Sequence, residues 1–171
     1  MKPIRSIGII MDGNRRWAKA RGLPAFEGHR AGLETLRRLS KELPRLRETH
    51  GLEYVTLYAF STENWNRSSM EVQYLMKLFE LGFQELVESA GNNTCVRIIG
   101  QRERFPKKLQ ALFRDVESKT KNRTGITVAF ALSYGGRAEI LDAVNRLVGG
   151  AQKPITEEIF SHALWTEGIP D

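Results

Sequence analysis

A carboxylate, a glycine, an amide and two guanidinium groups follow one another at Asp12, Gly13, Asn14, Arg15 and Arg16. The arginines offer donors that match phosphate oxygens. Gly13 lets the backbone come close to a ligand or adopt positive φ. Asp12 is the odd member, because a carboxylate beside a phosphate is repelled unless something positive lies between them. Mg²⁺ is the usual mediator. The run therefore suggests a metal-assisted diphosphate site. Ordinary turn chemistry with solvated arginines fits the same letters, so the run alone leaves both readings open.

A second group of polar residues lies at Ser61-Thr62-Glu63-Asn64-Trp65-Asn66-Arg67. It brings hydroxyls, amides, an arginine and an indole together, although Trp65 could simply cap a core. His29, after Glu27-Gly28, could donate to a phosphate or lie plainly at the surface.

Positioning these residues requires strands that end where they begin. Apolar runs at residues 6–11, 54–60, 96–100 and 126–132 are more continuous than alternating, as expected of strands covered on both faces. Helical patterns separate them. Leu33, Leu36, Leu39 and Leu43 form a stripe over residues 28–42, which Pro44 is expected to stop. Ser68-Ser69-Met70-Glu71 resembles a capping box opening a long helix towards Ser89. That helix carries a stripe of Val72, Leu75, Met76, Phe79, Phe83, Leu86 and Val87, and a second set of Tyr74, Leu78 and Leu81. Two apolar sides mean either deep burial or one wall of an apolar cavity. Pro106 begins a further helix with Leu109, Leu112, Phe113 and Val116 on one face. Two more helices are expected at residues 137–148 and 156–164, joined through Gly149-Gly150-Ala151. This alternation predicts an α/β fold, a three-layer helix/sheet/helix sandwich with a mainly parallel sheet. In such sheets ligands bind beyond the carboxyl ends of the strands, where Asp12 and Ser61 fall.

The chain has 171 residues, enough for a single domain spanning residues 1–171. A charged fraction of 27% and an apolar fraction of 41% are those of a globular protein. The net charge of +6 favours anionic partners. No nucleic acid is expected, because the basic residues are scattered and form no recognition module. No Gly-x4-Gly-Lys-Ser/Thr occurs, which argues against a P-loop enzyme. Cys95 is alone, so neither an intrachain disulfide nor a cysteine zinc cluster is expected. The apolar run after Arg5 is too short for a signal peptide, and a cytoplasmic location is expected.

Five segments together carry a resemblance. They are Ile9-Ile10-Met11-Asp12-Gly13-Asn14-x-Arg16-Trp17-Ala18, Gly28-His29-x-x-Gly32 and Leu57-Tyr58-Ala59-Phe60-Ser61-x-Glu63-Asn64-Trp65-x-Arg67, then Val96-Arg97-Ile98-Ile99-Gly100 and Ser133-Tyr134-Gly135-Gly136-Arg137. The chain resembles the cis-prenyltransferase (undecaprenyl diphosphate synthase) family over essentially its whole length. The resemblance implies an isoprenyl transferase that condenses isopentenyl diphosphate with an allylic diphosphate such as farnesyl diphosphate, using Mg²⁺. It implies that Asp12 holds the metal and is the residue most critical to catalysis. Gly13, Asn14, Arg15 and Arg16 would cradle the allylic diphosphate, with Trp17 and His29 completing that pocket. Ser61, Thr62, Glu63, Trp65 and Arg67 would position substrates, and Asn64 stands at the proton-acceptor position. The second apolar set from Tyr74 to Leu81 would then wall a tunnel for the growing chain. The resemblance also implies a homodimer, and a lipid product that brings peripheral membrane contact.

Two departures bear on this expectation. Ala25 stands where the family commonly has an arginine, and losing such a charge-assisted contact would cost about 1.5–3 kcal/mol of diphosphate binding. The family also continues past Asp171, with a strand and segments that hold isopentenyl diphosphate, a second Mg²⁺ ligand and much of the dimer surface. By that comparison the chain is C-terminally incomplete. An inactive or partner-dependent subunit that binds an allylic diphosphate is the alternative expectation.

Overall fold

The computed structural model describes residues 4–88, 93–149 and 154–170. Strands β1 (Ser6–Ile10), β2 (Tyr54–Ser61), β3 (Cys95–Ile99) and β4 (Thr127–Tyr134) form one sheet, ordered β1-β2-β4-β3. Every pairing is parallel. Between the strands run helices α1 (Asn14–Lys19), α2 (Ala25–His50), α3 (Ser69–Glu88) and α4 (Lys107–Thr120), and α5 (Gly136–Val148) and α6 (Glu157–Ala163) follow β4. This is the expected α/β architecture. Among the described residues no helix is long and apolar enough to cross a membrane.

Val55 and Leu57 of β2, Ile98 of β3, and Phe130 and Leu132 of β4 meet α2, α3 and α4 in one core. Phe113 of α4 lies at its centre, fully buried, edge-on to Phe83 at 5.2 Å and Phe105 at 5.4 Å. On the opposite face Tyr58 meets Tyr134 edge-on, and the Tyr134 hydroxyl donates to buried Glu139 of α5 at 2.6 Å. Two-sided burial, expected of all four strands, is found along residues 128–133 of β4 and at Ile98 and Ile99 of β3. β2 alternates instead, and β1 is an edge strand whose Ile10 is 76% exposed. The edge at β3 is closed by side chains: Val96 N–H donates to Thr120 Oγ1 at 3.0 Å and Ile98 N–H to Glu117 Oε1 at 2.8 Å. Such covering blunts a row of otherwise unpaired groups.

Two helix expectations need correction. Pro44 does not stop α2, which continues to His50 and ends at Gly51 with φ 72°. The turns beyond Pro44 pack Leu46 on the core beside buried Leu43, an apolar gain set against a proline cost of about 3 kcal/mol. At the start of α3 only half the capping box forms: Glu71 N–H donates to Ser68 Oγ at 3.3 Å, but the Glu71 carboxylate turns elsewhere. The expected end at Ser89, the Val87 side chain, and Gly150-Ala151 of the joining segment lie outside the described residues.

Candidate active site

Strand β1 delivers Asp12 to the carboxyl end of the sheet, and the chain turns there through Gly13 at φ 90°. A side chain would strain that backbone. The Gly13 N–H donates to Asp12 Oδ1 at 2.5 Å, while Arg16 donates to Asp12 Oδ2 at 2.7 Å. Helix α1 then lies against α2 because Gly28 has no side chain: a Cβ there would fall 2.0 Å from Asn14 O. One turn on, a Cβ at Gly32 would fall 2.7 Å from Asn14 Nδ2. The Gly28-His29-x-x-Gly32 spacing is therefore the seat for Asn14, and it brings His29 under the turn that holds Arg15.

His29 is buried and its Nε2 lies 3.0 Å from Glu71 Oε1. The same oxygen accepts from Arg67 at 3.1 Å and lies 3.9 Å from Arg15 Nε. Burial pushes the His29 pKa down, against the opposing pull of the Glu71 hydrogen bond. Burial alone would raise the Glu71 pKa, but the His29 hydrogen bond and the Arg15 and Arg67 charges outweigh it and leave it lowered. At neutral pH the centre is thus a carboxylate, a neutral imidazole whose Nε2–H donates to it, and two guanidinium groups.

Of these residues Arg15, His29 and Arg67 lie at the mouth of a cavity of about 610 Å³. Asp12, Gly13, Asn14, Arg15, Arg16, His29, Ser61, Asn64 and Arg67 line that mouth. Beyond them the walls are largely apolar, from Leu33, Leu36 and Leu39 of α2 to Leu78, Phe79 and Leu86 of α3, with Glu34, Arg37, Ser40, Lys41 and Glu85 also on the lining. The cavity reaches Val55, Thr94 and Val128 near the amino ends of the strands, so it runs the length of the sheet. A cationic mouth over an oily bore suits a molecule with an anionic head and a hydrocarbon tail.

The remaining expected residues lie elsewhere. Trp17 is 40% exposed and stacks under the Arg21 guanidinium at 4.3 Å. Glu63 is exposed, and Thr62 packs towards Gly135. Trp65 caps the core between Phe60 at 4.9 Å and Phe105 at 5.1 Å. Within the second apolar set of α3 only Leu78 reaches the cavity, since Tyr74 stacks on Phe26 at 4.9 Å and Leu81 is 50% exposed. Glu71 is the residue the sequence reading missed. Its signal was the i,i+4 spacing from Arg67, hidden behind its fit to a capping box.

Among the described residues no three carboxylate, histidine or cysteine side chains gather as a metal cluster. Asp12 offers a carboxylate at the mouth that is 73% exposed.

A sequence model of the undecaprenyl diphosphate synthase family matches residues 10–171. The isoprenyl transferase of Brucella abortus is 46% identical over 178 residues, covering 100% of this chain and 68% of that protein. The isoprenyl transferase of Clostridium perfringens is 42% identical, covering 98% of this chain and 67% of that protein. The chain therefore spans about two thirds of the length of these relatives. Among solved structures, lavandulyl diphosphate synthase from Lavandula x intermedia, in complex with dimethylallyl diphosphate, superposes with a TM-score of 0.88. It is 30% identical and covers 98% of this chain and 72% of that one. A probable undecaprenyl diphosphate synthase from Campylobacter jejuni gives 0.76 at 28% identity, covering 96% of this chain and 71% of that one. With the family model matching nearly from end to end and these identities, the chain belongs to the undecaprenyl diphosphate synthase family of prenyltransferases.

Proposed function

We propose that the cavity takes an allylic diphosphate head-up, with its diphosphate at Asp12–Arg16 and its hydrocarbon tail between α2 and α3, and extends it with isopentenyl diphosphate. The observation that carries this reading is the continuity of one cavity from the Asp12, Arg15, Arg16 and His29 mouth to the leucine-lined bore. A complex with dimethylallyl diphosphate in a relative of the same fold supports the substrate class.

In this reaction the allylic C–O bond breaks and the diphosphate leaves with the electron pair. The terminal alkene carbon of isopentenyl diphosphate bonds to the allylic carbon, and a proton leaves the isopentenyl unit. Arg15, Arg16 and the backbone N–H groups at the start of α1 stabilise the charge on the departing diphosphate. The bore excludes water, which would otherwise capture the allylic cation. Asn64 faces the cavity with its Oδ1 accepting the Ser61 N–H at 3.1 Å. In this reading Asn64 receives the proton and passes it to a diphosphate oxygen, a stronger base than an amide.

A single exposed carboxylate fits Mg²⁺ that arrives with its substrate, because that ion takes one or two carboxylates and completes its shell with phosphate oxygens and water. Bound there through Asp12, it would offset the charge of the diphosphate. Arg16, paired with Asp12 at 2.7 Å, would then be free to turn towards the phosphate oxygens.

The test is condensation of radiolabelled isopentenyl diphosphate with farnesyl diphosphate and Mg²⁺. Polyprenyl product that vanishes with a chelator and in Asp12→Ala is expected. Farnesyl diphosphate binding without any product would favour the partner-dependent subunit instead.

A further inference from the structure

We infer that Ser133 is a positioning residue for the active site, acting through Trp65. The inference rests on the reading of the cavity above, and its geometry is independent of that reading. Ser133 is fully buried and holds φ 49°. Among the described residues only Asn93 and Ser133 combine a side chain with positive φ, and Asn93 belongs to the type that tolerates it. A glycine would carry the same backbone without strain, so what the serine adds is its hydroxyl. That hydroxyl accepts the Trp65 indole N–H at 2.9 Å and faces Gln101 Oε1 at 3.4 Å.

Trp65 belongs to the 3₁₀ turn Thr62–Asn66, which joins the end of β2 to α3. Its ring is wedged on Phe60 and Phe105, under the Arg104 guanidinium at 5.1 Å. Asn64 precedes it and Arg67 follows two residues later, and both line the cavity. Ring packing fixes the plane of the indole, and the Ser133 hydroxyl fixes its rotation within that plane. Ser133 thereby helps to set how the turn presents Asn64 and Arg67 to substrate, beside the Ser61–Asn64 and Arg67–Glu71 hydrogen bonds. Strain kept at such a position is the mark of a site where geometry outweighs stability.

Ser133→Gly, Trp65→Phe and the double variant separate this from a structural role. The readouts are thermal stability, the Trp65 indole N–H resonance (assigned through Trp65→Phe) and the Asn64 amide resonances. Farnesyl diphosphate affinity in Mg²⁺ is measured by calorimetry. Ser133→Gly is expected to keep or raise its midpoint temperature, to shift both sets of resonances, and to weaken affinity about five- to tenfold. The double variant is expected to bind no more weakly than Trp65→Phe, because the two side chains act as one unit. Unchanged resonances and affinity in Ser133→Gly would overturn the inference. So would losses that simply multiply in the double variant. A wild-type chain that binds no farnesyl diphosphate would defeat the reading of the cavity, and the ligand-free resonances would still decide the role of Ser133.

Discussion

The carboxylate of Glu71 stands between His29, 3.0 Å from its Oε1, and Arg67, 3.1 Å from the same oxygen. One acidic side chain from α3 thereby ties α2 to the segment after β2, at the mouth where diphosphate would sit. It also sets the charge state of the mouth, since its negative charge is what the two arginines and the imidazole share.

Glu71→Gln keeps the shape and removes that charge. Arg67 and Arg15 lose their common counter-ion, while an amide oxygen in the place of Oε1 can still accept from His29 and Arg67. A loss of about 1 kcal/mol in denaturant unfolding is expected, the difference between a charge-assisted and a neutral hydrogen bond. Farnesyl diphosphate affinity should also fall in calorimetry, because the released guanidinium groups no longer converge on one point. Unchanged stability and affinity would mean that Glu71 is only a helix-start residue.

The lowered pKa values of His29 and Glu71 predict a loss of stability in acid. For both groups the unfolded chain binds a proton more readily than the folded one, so acidification favours unfolding. The His29 contribution is complete above pH 6.5, its ordinary value, and disappears as pH falls through its lower folded value. The Glu71 contribution follows below pH 4.5. His162, raised by its hydrogen bond to Glu167 at the surface, has the opposite sign and gains as pH falls. Thermal midpoints taken from pH 7 to pH 5 should therefore fall, and His29→Gln should flatten the curve. Equal slopes in the two proteins would remove His29 as the cause.

Much of this was legible beforehand because it rests on local rules. The Asp12-Gly13-Asn14 break marks the end of a strand at any level of detail, and His29, Asn64 and Arg67 do reach the same mouth. What was hidden depends on distant partners. Pro44 reads as a stop until Leu46 is seen packed on the core, and the hydrogen bond from Trp65 to Ser133, 68 residues away, has no signature in the sequence. Leu33, Leu36 and Leu39 show a core stripe in sequence, yet they are only half-buried because they border a void rather than a neighbour. Periodicity reports that a face is apolar, and says nothing of what faces it.

The seat of α1 on α2 gives a graded test. In Gly28→Ala the new Cβ would meet a backbone oxygen, Asn14 O, at 2.0 Å, and neither helix can yield without moving. A loss of about 1–3 kcal/mol is expected, as for overpacking in a core, together with displacement of Asn14 and loss of diphosphate binding. In Gly32→Ala the obstacle is the Asn14 side chain at 2.7 Å, which can rotate away. That variant should stay nearly as stable as the parent while binding more weakly, because it moves a cavity residue and not a helix. Thermal denaturation beside calorimetry distinguishes the two, and equal stability losses would contradict the seat as described.

The bore itself can be shortened from one position. Gly82 lies on α3 within the cavity lining, and a Cβ there would sit 3.2 Å from Leu33 Cδ1 across the gap to α2. Gly82→Phe places a ring in the path of the tail, and Leu33 must turn to another staggered rotamer to make room. The mouth is untouched, so farnesyl diphosphate should still bind and the first condensations should proceed at near-parental rates. Later additions should fail as the tail meets the ring, shifting the product distribution to shorter chains on reverse-phase separation. A variant that makes parental chain lengths would show that the growing tail leaves the mouth by another route.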